Sequence, residues 1–216
     1  MSYEELYRQS IEQPDRFWAE AADHLEWSRR WERVLDVSAA PYYQWFSGGE
    51  LNTCYNAVDR HCENGRGEQA ALIYDSPVTG QMRSFSYFEL QDLVARFAGV
   101  LRTHGVEKGD RVIIYMPMIP EAVISMLACS RIGAIHSVVF GGFAAKELAT
   151  RVVDADPTLV ISASCGIEGQ RVIPYLPLLE EALTIAGVEN LPRVLVSRPQ
   201  LPIEDVHPAA VLWDQA

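Results

Sequence analysis

Residues 111–142, RVIIYMPMIPEAVISMLACSRIGAIHSVVFGG, constrain the fold more than any other stretch of the chain. Arg111–Met116 is a short β-branched apolar run of strand length, ended by Pro117. Pro120 suits the first turn of a helix, where a missing N–H costs nothing. The run AVISMLACSRI then reads as helix and stops at Gly133, a residue suited to the position just past a helix end. Ile135–Phe140 is a second β-branched run, followed directly by Gly141 and Gly142. This is one β-α-β unit, and two strands of that kind require parallel pairing through a right-handed crossover.

The same alternation continues downstream. A helix is expected at about Ala144–Ala155, a strand at Leu159–Ser164, a helix at Leu176–Ala186 and a strand at Arg193–Ser197. Upstream, Ser86 and Glu89 form a capping box that opens a helix over Tyr87–His104, whose apolar residues Leu90, Leu93, Val94, Phe97, Val100 and Leu101 follow the 3.6-residue period. Ala70–Tyr74 and Met82–Phe85 read as two strands joined by the turn SPVTGQ. Leu51–Glu63 reads as a helix stopped by Gly65. The fold class expected is α/β: an open, mainly parallel sheet with helices on both faces.

The first fifty residues read differently. Ser2 and Glu5 form another capping box, a second helix follows Pro14, and Trp27, Trp31, Trp45 and Phe46 crowd a stretch without clean periodicity. Residues 1–50 are therefore expected to form an arm packed on the domain, and residues 51–216 the domain itself. The tail beyond Arg198 holds three prolines and ends at Val211–Ala216, which reads as an element cut short and suggests a fragment.

Composition narrows the function classes. With 49% hydrophobic residues a sizeable core can form, and a formal net charge of −11 argues against nucleic acid or an anionic membrane surface as partner. No apolar run is long enough to span a bilayer. The N-terminus is acidic, unlike a secretory or Arg-rich transit leader. Cys54, Cys62, Cys129 and Cys165 lack metal-ligand spacing, so inert thiols in a reducing compartment, the cytoplasm, are expected.

In an open α/β sheet, ligands bind beyond the carboxyl ends of the strands. Three such ends draw attention: Met116–Met118, Phe140–Phe143, and Ser164–Arg171. Gly141-Gly142 before a helix lets backbone N–H groups approach a phosphate or a ring, although an ordinary tight turn would use the same residues. Arg171 offers a forked donor suited to phosphate and is equally compatible with a solvated loop. His136, inside an apolar strand, fits a core histidine better than a base. His61 sits near a helix end, where a cation is favourable. No catalytic Ser/His/Asp set, metal cluster or paired-carboxylate motif is present, so no catalytic residue and no metal site are assigned.

Taken together, WFSGGELNTCYNAVDRH (45–61), FSYFEL (85–90), GVEKGDRVIIYMPMIPEAVISMLACSRIGAIHSVVFGGF (105–143) and DADPTLVISAS (154–164) resemble the N-terminal part of AMP-forming short-chain acyl-CoA synthetases, the acetyl/propionyl-CoA synthetase family. CYNAVDRH is closer to the propionyl-CoA synthetase branch. The resemblance implies a ligase that joins a short-chain carboxylate, propionate or acetate, to ATP as an acyl-adenylate and passes the acyl group to coenzyme A, with Mg2+ as the metal. It implies further that Phe140, Gly141 and Gly142 contact the coenzyme A nucleotide. It places Glu168, Gly169, Gln170 and Arg171 on the family's second coenzyme A loop. There the related acetyl-CoA synthetases carry arginine at both ends, whereas Glu168 would repel a 3′-phosphate.

The family's Ser/Thr/Gly-rich phosphate loop ending in Pro-Lys does not occur in this sequence, nor do its downstream acidic motif and C-terminal lysine. Adenylation needs such groups to neutralise charge at the α-phosphate. The 216 residues alone are therefore expected to be inactive, to need no cofactor, and to self-associate through unpaired sheet edges. The alternative is a stand-alone α/β nucleotide-binding or interaction module without catalysis.

Overall fold

The computed structural model describes residues 2–142 and 144–216. Phe143, the last residue of the GGF motif, lies outside them. The described chain divides into two compact units, one running to Asn56 and the other from Ala57 to Ala216.

The first unit begins with α1 (Tyr3–Glu12), opened by the expected capping box. The Glu5 N–H donates to Ser2 Oγ at 3.3 Å, and the Ser2 N–H donates to Glu5 Oε2 at 2.7 Å. Pro14 starts α2 (Pro14–Ala22) at a first-turn position. The aperiodic aromatic stretch becomes a small antiparallel hairpin of β1 (Arg33–Asp36) and β2 (Gln44–Ser47). Its aromatics satisfy one another. Trp27, Trp31 and Phe46 meet with ring centroids 4.9, 5.5 and 5.2 Å apart, within the range where aromatic pairs attract.

The expected helix near Cys54, which runs from the end of the first unit into the second, is wound wide, as π-type turns over Tyr55–Asp59 and Cys62–Arg66, with Gly65 at φ 74°. Asp59 anchors it: its carboxylate accepts from Gln91 Nε2 at 2.7 Å and from Arg131 Nη2 at 2.6 Å. A hairpin follows, β3 (Ala70–Ser76) and β4 (Gln81–Ser86), and then α3 (Tyr87–Thr103), capped by Ser86 and Glu89 as the sequence predicts. Leu90, Val94, Phe97 and Leu101 are buried on one stripe of α3.

The parallel sheet is built from β5 (Arg111–Met116), α4 (Pro120–Ile132), β6 (Ile135–Phe140), α5 (Ala145–Ala155) and β7 (Leu159–Ala163). Next come a short antiparallel hairpin, β8 (Cys165–Glu168) and β9 (Arg171–Pro174), and α6 (Leu176–Ala186). The strands β10 (Arg193–Val196) and β11 (Ala210–Leu212) complete it. The order is β11-β10-β7-β5-β6, all parallel. Successive residues of β5 point to opposite faces. Ile113 and Tyr115 join Val160 and Leu195 in a core closed by α5 and α6, through Leu148, Val152, Leu179 and Leu183. Val112, Ile114 and Met116 are buried on the other face, where α4 packs with α3. Arg193 is fully buried and is satisfied by Glu180 at 2.5 Å and by the Leu191 and Glu189 carbonyls.

Two expectations are corrected. Residues 165–171, read as a loop, instead form most of the β8–β9 hairpin, in which Glu168 pairs with Arg171 across the two-residue turn Gly169-Gln170. Gly169 has φ 59°, the left-handed conformation that such a turn asks of its first residue. His61 is not a favoured cation. Its ring lies 4.8 Å from Tyr87, its Nδ1 is 3.2 Å from Arg66 Nη1, and burial together with Arg66 and Arg60 pushes its pKa down. His136 is half-buried, and burial favours its neutral form, as suits a core histidine.

Candidate functional site

The chain runs from β5 outward to β6 and then returns across β5 to β7, so the order of strands reverses between β5 and β7. Crevices at such reversals, beyond the carboxyl ends of the strands, are where ligands settle. Two of the sequence-predicted segments leave the sheet at this end: the turn Phe140-Gly141-Gly142 after β6, and the β8–β9 hairpin after β7.

The structure brings these segments together. A Cβ built on Gly142 would stand 3.2 Å from Glu168 Oε1, so the hairpin's carboxylate sits directly over the turn. Gly142 has φ 102°, a conformation that side-chain-bearing residues rarely adopt. A Cβ on Gly141 would come within 2.3 Å of the Tyr175 hydroxyl, and one on Gly166 within 2.1 Å of the same oxygen. Both glycines are therefore required sterically, on either side of one buried ring. Phe140 is 71% exposed at the start of this turn. Gly169 has open space where a side chain would be, and Glu168, Gln170 and Arg171 are exposed beside it.

Sequence reasoning overlooked the two tyrosines behind these loops. Tyr115 lies within the apolar run of β5, and Tyr175 precedes α6, so neither carries a motif. Both are buried, with ring centroids 5.0 Å apart and planes at 31°. The Gly142 N–H donates to the Tyr115 hydroxyl, while burial raises the pKa of that phenol. Burial, Tyr115 and Glu168 push Tyr175 up to about 12, so both phenols are neutral at physiological pH. The Tyr175 N–H donates to the Ser164 carbonyl at 3.0 Å, which fixes the hairpin's exit to the end of β7.

Chemically, the arrangement offers backbone, one exposed ring, one cation and one carboxylate. It contains no nucleophile–base pair. Cys165 and Cys129 are buried, and burial lifts the Cys129 thiol to about 12, which leaves it inert. Among the described residues no cluster of three metal-ligating side chains occurs, and no helix is long and apolar enough to cross a membrane.

At the third strand end, Met116–Met118, Pro117 and Met118 line a separate cavity of about 170 Å³ with Asp75, Val78, Ile167 and Arg198. A groove of about 560 Å³ lies over the start of α4, lined by Arg83 of the β3–β4 hairpin, Ile119, Glu121 and Arg198. Burial raises the pKa of the Glu121 carboxyl there. Arg198 is largely committed to the fold, since its Nη1 donates to the Cys165 carbonyl at 2.9 Å and its N–H to Ser164 Oγ at 2.9 Å.

Comparison with known proteins agrees with this architecture. The family model described as acetyl-coenzyme A synthetase N-terminus matches residues 3–57, and that described as AMP-binding enzyme matches residues 58–208. The chain is 50% identical over 215 residues to the mitochondrial acyl-CoA synthetase short-chain family member 3 of Bos taurus, covering 99% of this chain and 31% of that protein. It is 46% identical over 198 residues to the propionate–CoA ligase of Escherichia coli, covering 92% of this chain and 31% of the ligase. An acetoacetyl-CoA synthetase from Streptomyces lividans superposes with a TM-score of 0.87 over 99% of this chain and 32% of its own, at 24% identity, which speaks for the fold. The chain thus spans about a third of the length of the relatives it matches. With the AMP-binding model covering most of its length, and the acetyl-coenzyme A synthetase N-terminus model matching the segment before it, this chain belongs to the AMP-binding enzyme family.

Proposed function

We propose that this chain serves as the N-terminal region of a ligase that activates a short-chain carboxylate with ATP and transfers it to coenzyme A, and that the β6–α5 turn and the β8–β9 hairpin are its part of the coenzyme A site. Propionate is the favoured acid and acetate the second, on the likeness to a propionate–CoA ligase. The observation that carries the reading is the convergence of Gly142 and Glu168 at the carboxyl ends of parallel strands.

In this reading the Gly141-Gly142 backbone admits the nucleotide closely, Phe140 offers a ring face, and Arg171 supplies charge for a phosphate. Glu168 opposes that charge and weakens the contact. The sequence holds no Ser/Thr/Gly-rich phosphate loop ending in Pro-Lys, the group that adenylation needs. The 216 residues therefore bind without adenylating, and incubated with propionate, ATP, Mg2+ and coenzyme A they release no pyrophosphate above background. The compartment proposed is the cytoplasm, in keeping with four free thiols.

The test is a titration of the isotope-labelled chain with coenzyme A, followed by amide chemical shifts. Binding in the millimolar range, about 4 kcal/mol, should move Phe140–Gly142 and Glu168–Arg171 together. Saturable shifts confined to other parts of the chain, or none, would remove the site from these loops.

A further inference from the structure

The Tyr115–Tyr175 pair is not among the residues that would touch a nucleotide, yet it contacts the backbone of both the Gly141-Gly142 turn and the β8–β9 hairpin. Tyr175 is 3% exposed and is wedged between Gly141 of the turn and Gly166 of the hairpin, both of which approach its hydroxyl too closely to carry a methyl group. Tyr115, fully buried, lies against Tyr175 and accepts the Gly142 N–H. Two loops from strands on opposite sides of β5 are thus referred to one rigid aromatic body at the core's edge. Tyrosine suits the task because its ring is stiff and its hydroxyl can hold a backbone group at the end of that lever.

We propose that Tyr115 and Tyr175 are positioning residues that set the β6–α5 turn against the β8–β9 hairpin and hold Gly142 in its left-handed conformation, so that a nucleotide bearing phosphate meets a preformed backbone cradle. The inference rests on the coenzyme A reading above. Without the pair, each loop must be ordered at the moment of binding, and that ordering lowers affinity. Tyr115→Phe removes only the acceptor for Gly142. Tyr175→Ala removes the wedge, whereas Tyr175→Phe keeps its ring.

The experiment follows coenzyme A binding and amide hydrogen exchange in the labelled chain and these three variants. Tyr115→Phe should weaken binding about fivefold, the equivalent of one lost hydrogen bond, and accelerate exchange at Gly142 while amides in β5 and β7 keep their protection. Tyr175→Ala should weaken binding at least tenfold, and Tyr175→Phe should restore it to within about twofold of the wild type, by the preorganisation argument. If Tyr175→Ala fails to fold, Tyr115→Phe alone decides. Wild-type affinity and unchanged Gly142 exchange in Tyr115→Phe would overturn the proposal. A wild-type chain whose loops do not respond to coenzyme A, but whose Gly142 exchange still accelerates in Tyr115→Phe, would sink the coenzyme A assignment and leave the positioning role standing.

Discussion

Replacing Gly141 by alanine isolates the steric cost of the wedge from backbone strain. Gly141 is not among the glycines with positive φ, so alanine meets no conformational penalty there and gains about 0.4–1 kcal/mol by restricting the unfolded chain. Against that, the new Cβ would stand 2.3 Å from Tyr175 Oη and 2.8 Å from its Cε2 and Cζ. The ring cannot step aside, because Gly166 lies on its other side and Tyr115 against its face. Overpacking of this kind costs about 1–3 kcal/mol, so the net loss should be about 1–2 kcal/mol. Urea unfolding should show the midpoint falling by about 0.5–1 M at unchanged slope. Gly169→Ala supplies the opposite control: open space but φ 59°, hence a loss of about 1 kcal/mol from strain alone. Combining Gly141→Ala with Tyr175→Phe removes the nearest clash, so the double variant should lose less than the two singles added. A Gly141→Ala chain as stable as the wild type would refute the close packing on which the site's geometry rests.

Two further outcomes follow from the structure. Burial raises the Glu121 pKa, so the native state holds that proton to higher pH than the unfolded chain; stability is therefore lost as pH rises from the ordinary carboxylate range through the raised pKa. Glu121→Gln should be more stable than the wild type near pH 7, with the gap closing as pH falls into the ordinary carboxylate range, and thermal melts with no gap near pH 7 would contradict this. The edge strand β6 exposes Ile135, Val138 and Phe140, so the chain should self-associate in light scattering, and a monodisperse monomer at high concentration would count against it.

How much of this could be read in the sequence differs by element. The β5–α4–β6 unit was legible because Pro117, Pro120 and Gly133 punctuate runs of the right length, and the two capping boxes form as their Ser/Glu spacing requires. The β8–β9 hairpin was not, since Gly169-Gln170 is a weak turn signal and the flanking strands are only four residues each. The aromatic segment around Trp31 lacked periodicity because its rings pack on one another rather than on one face. His61 misled because a helix end favours a cation only where neighbouring charges allow it, and Arg60 and Arg66 do not. Within the candidate site, Gly141, Gly142 and residues 168–171 were visible through family resemblance. The tyrosines that hold them were invisible, because a buried Tyr in an apolar run looks like any core residue.

The central claim is that the Gly141-Gly142 turn serves the coenzyme A step, and the most direct measurement compares the two half-reactions in the complete ligase. Gly142→Leu adds a side chain at φ 102° beside Glu168, where the nucleotide would approach. It should lower thioester formation at least tenfold, about 1.4 kcal/mol or more, while carboxylate-dependent exchange of pyrophosphate into ATP stays near the wild-type rate. Arg171→Ala should follow more mildly, with a deficit that shrinks as salt screens the lost charge. If Gly142→Leu depresses adenylate formation as far as thioester formation, the turn is a structural corner and the account of this site is wrong.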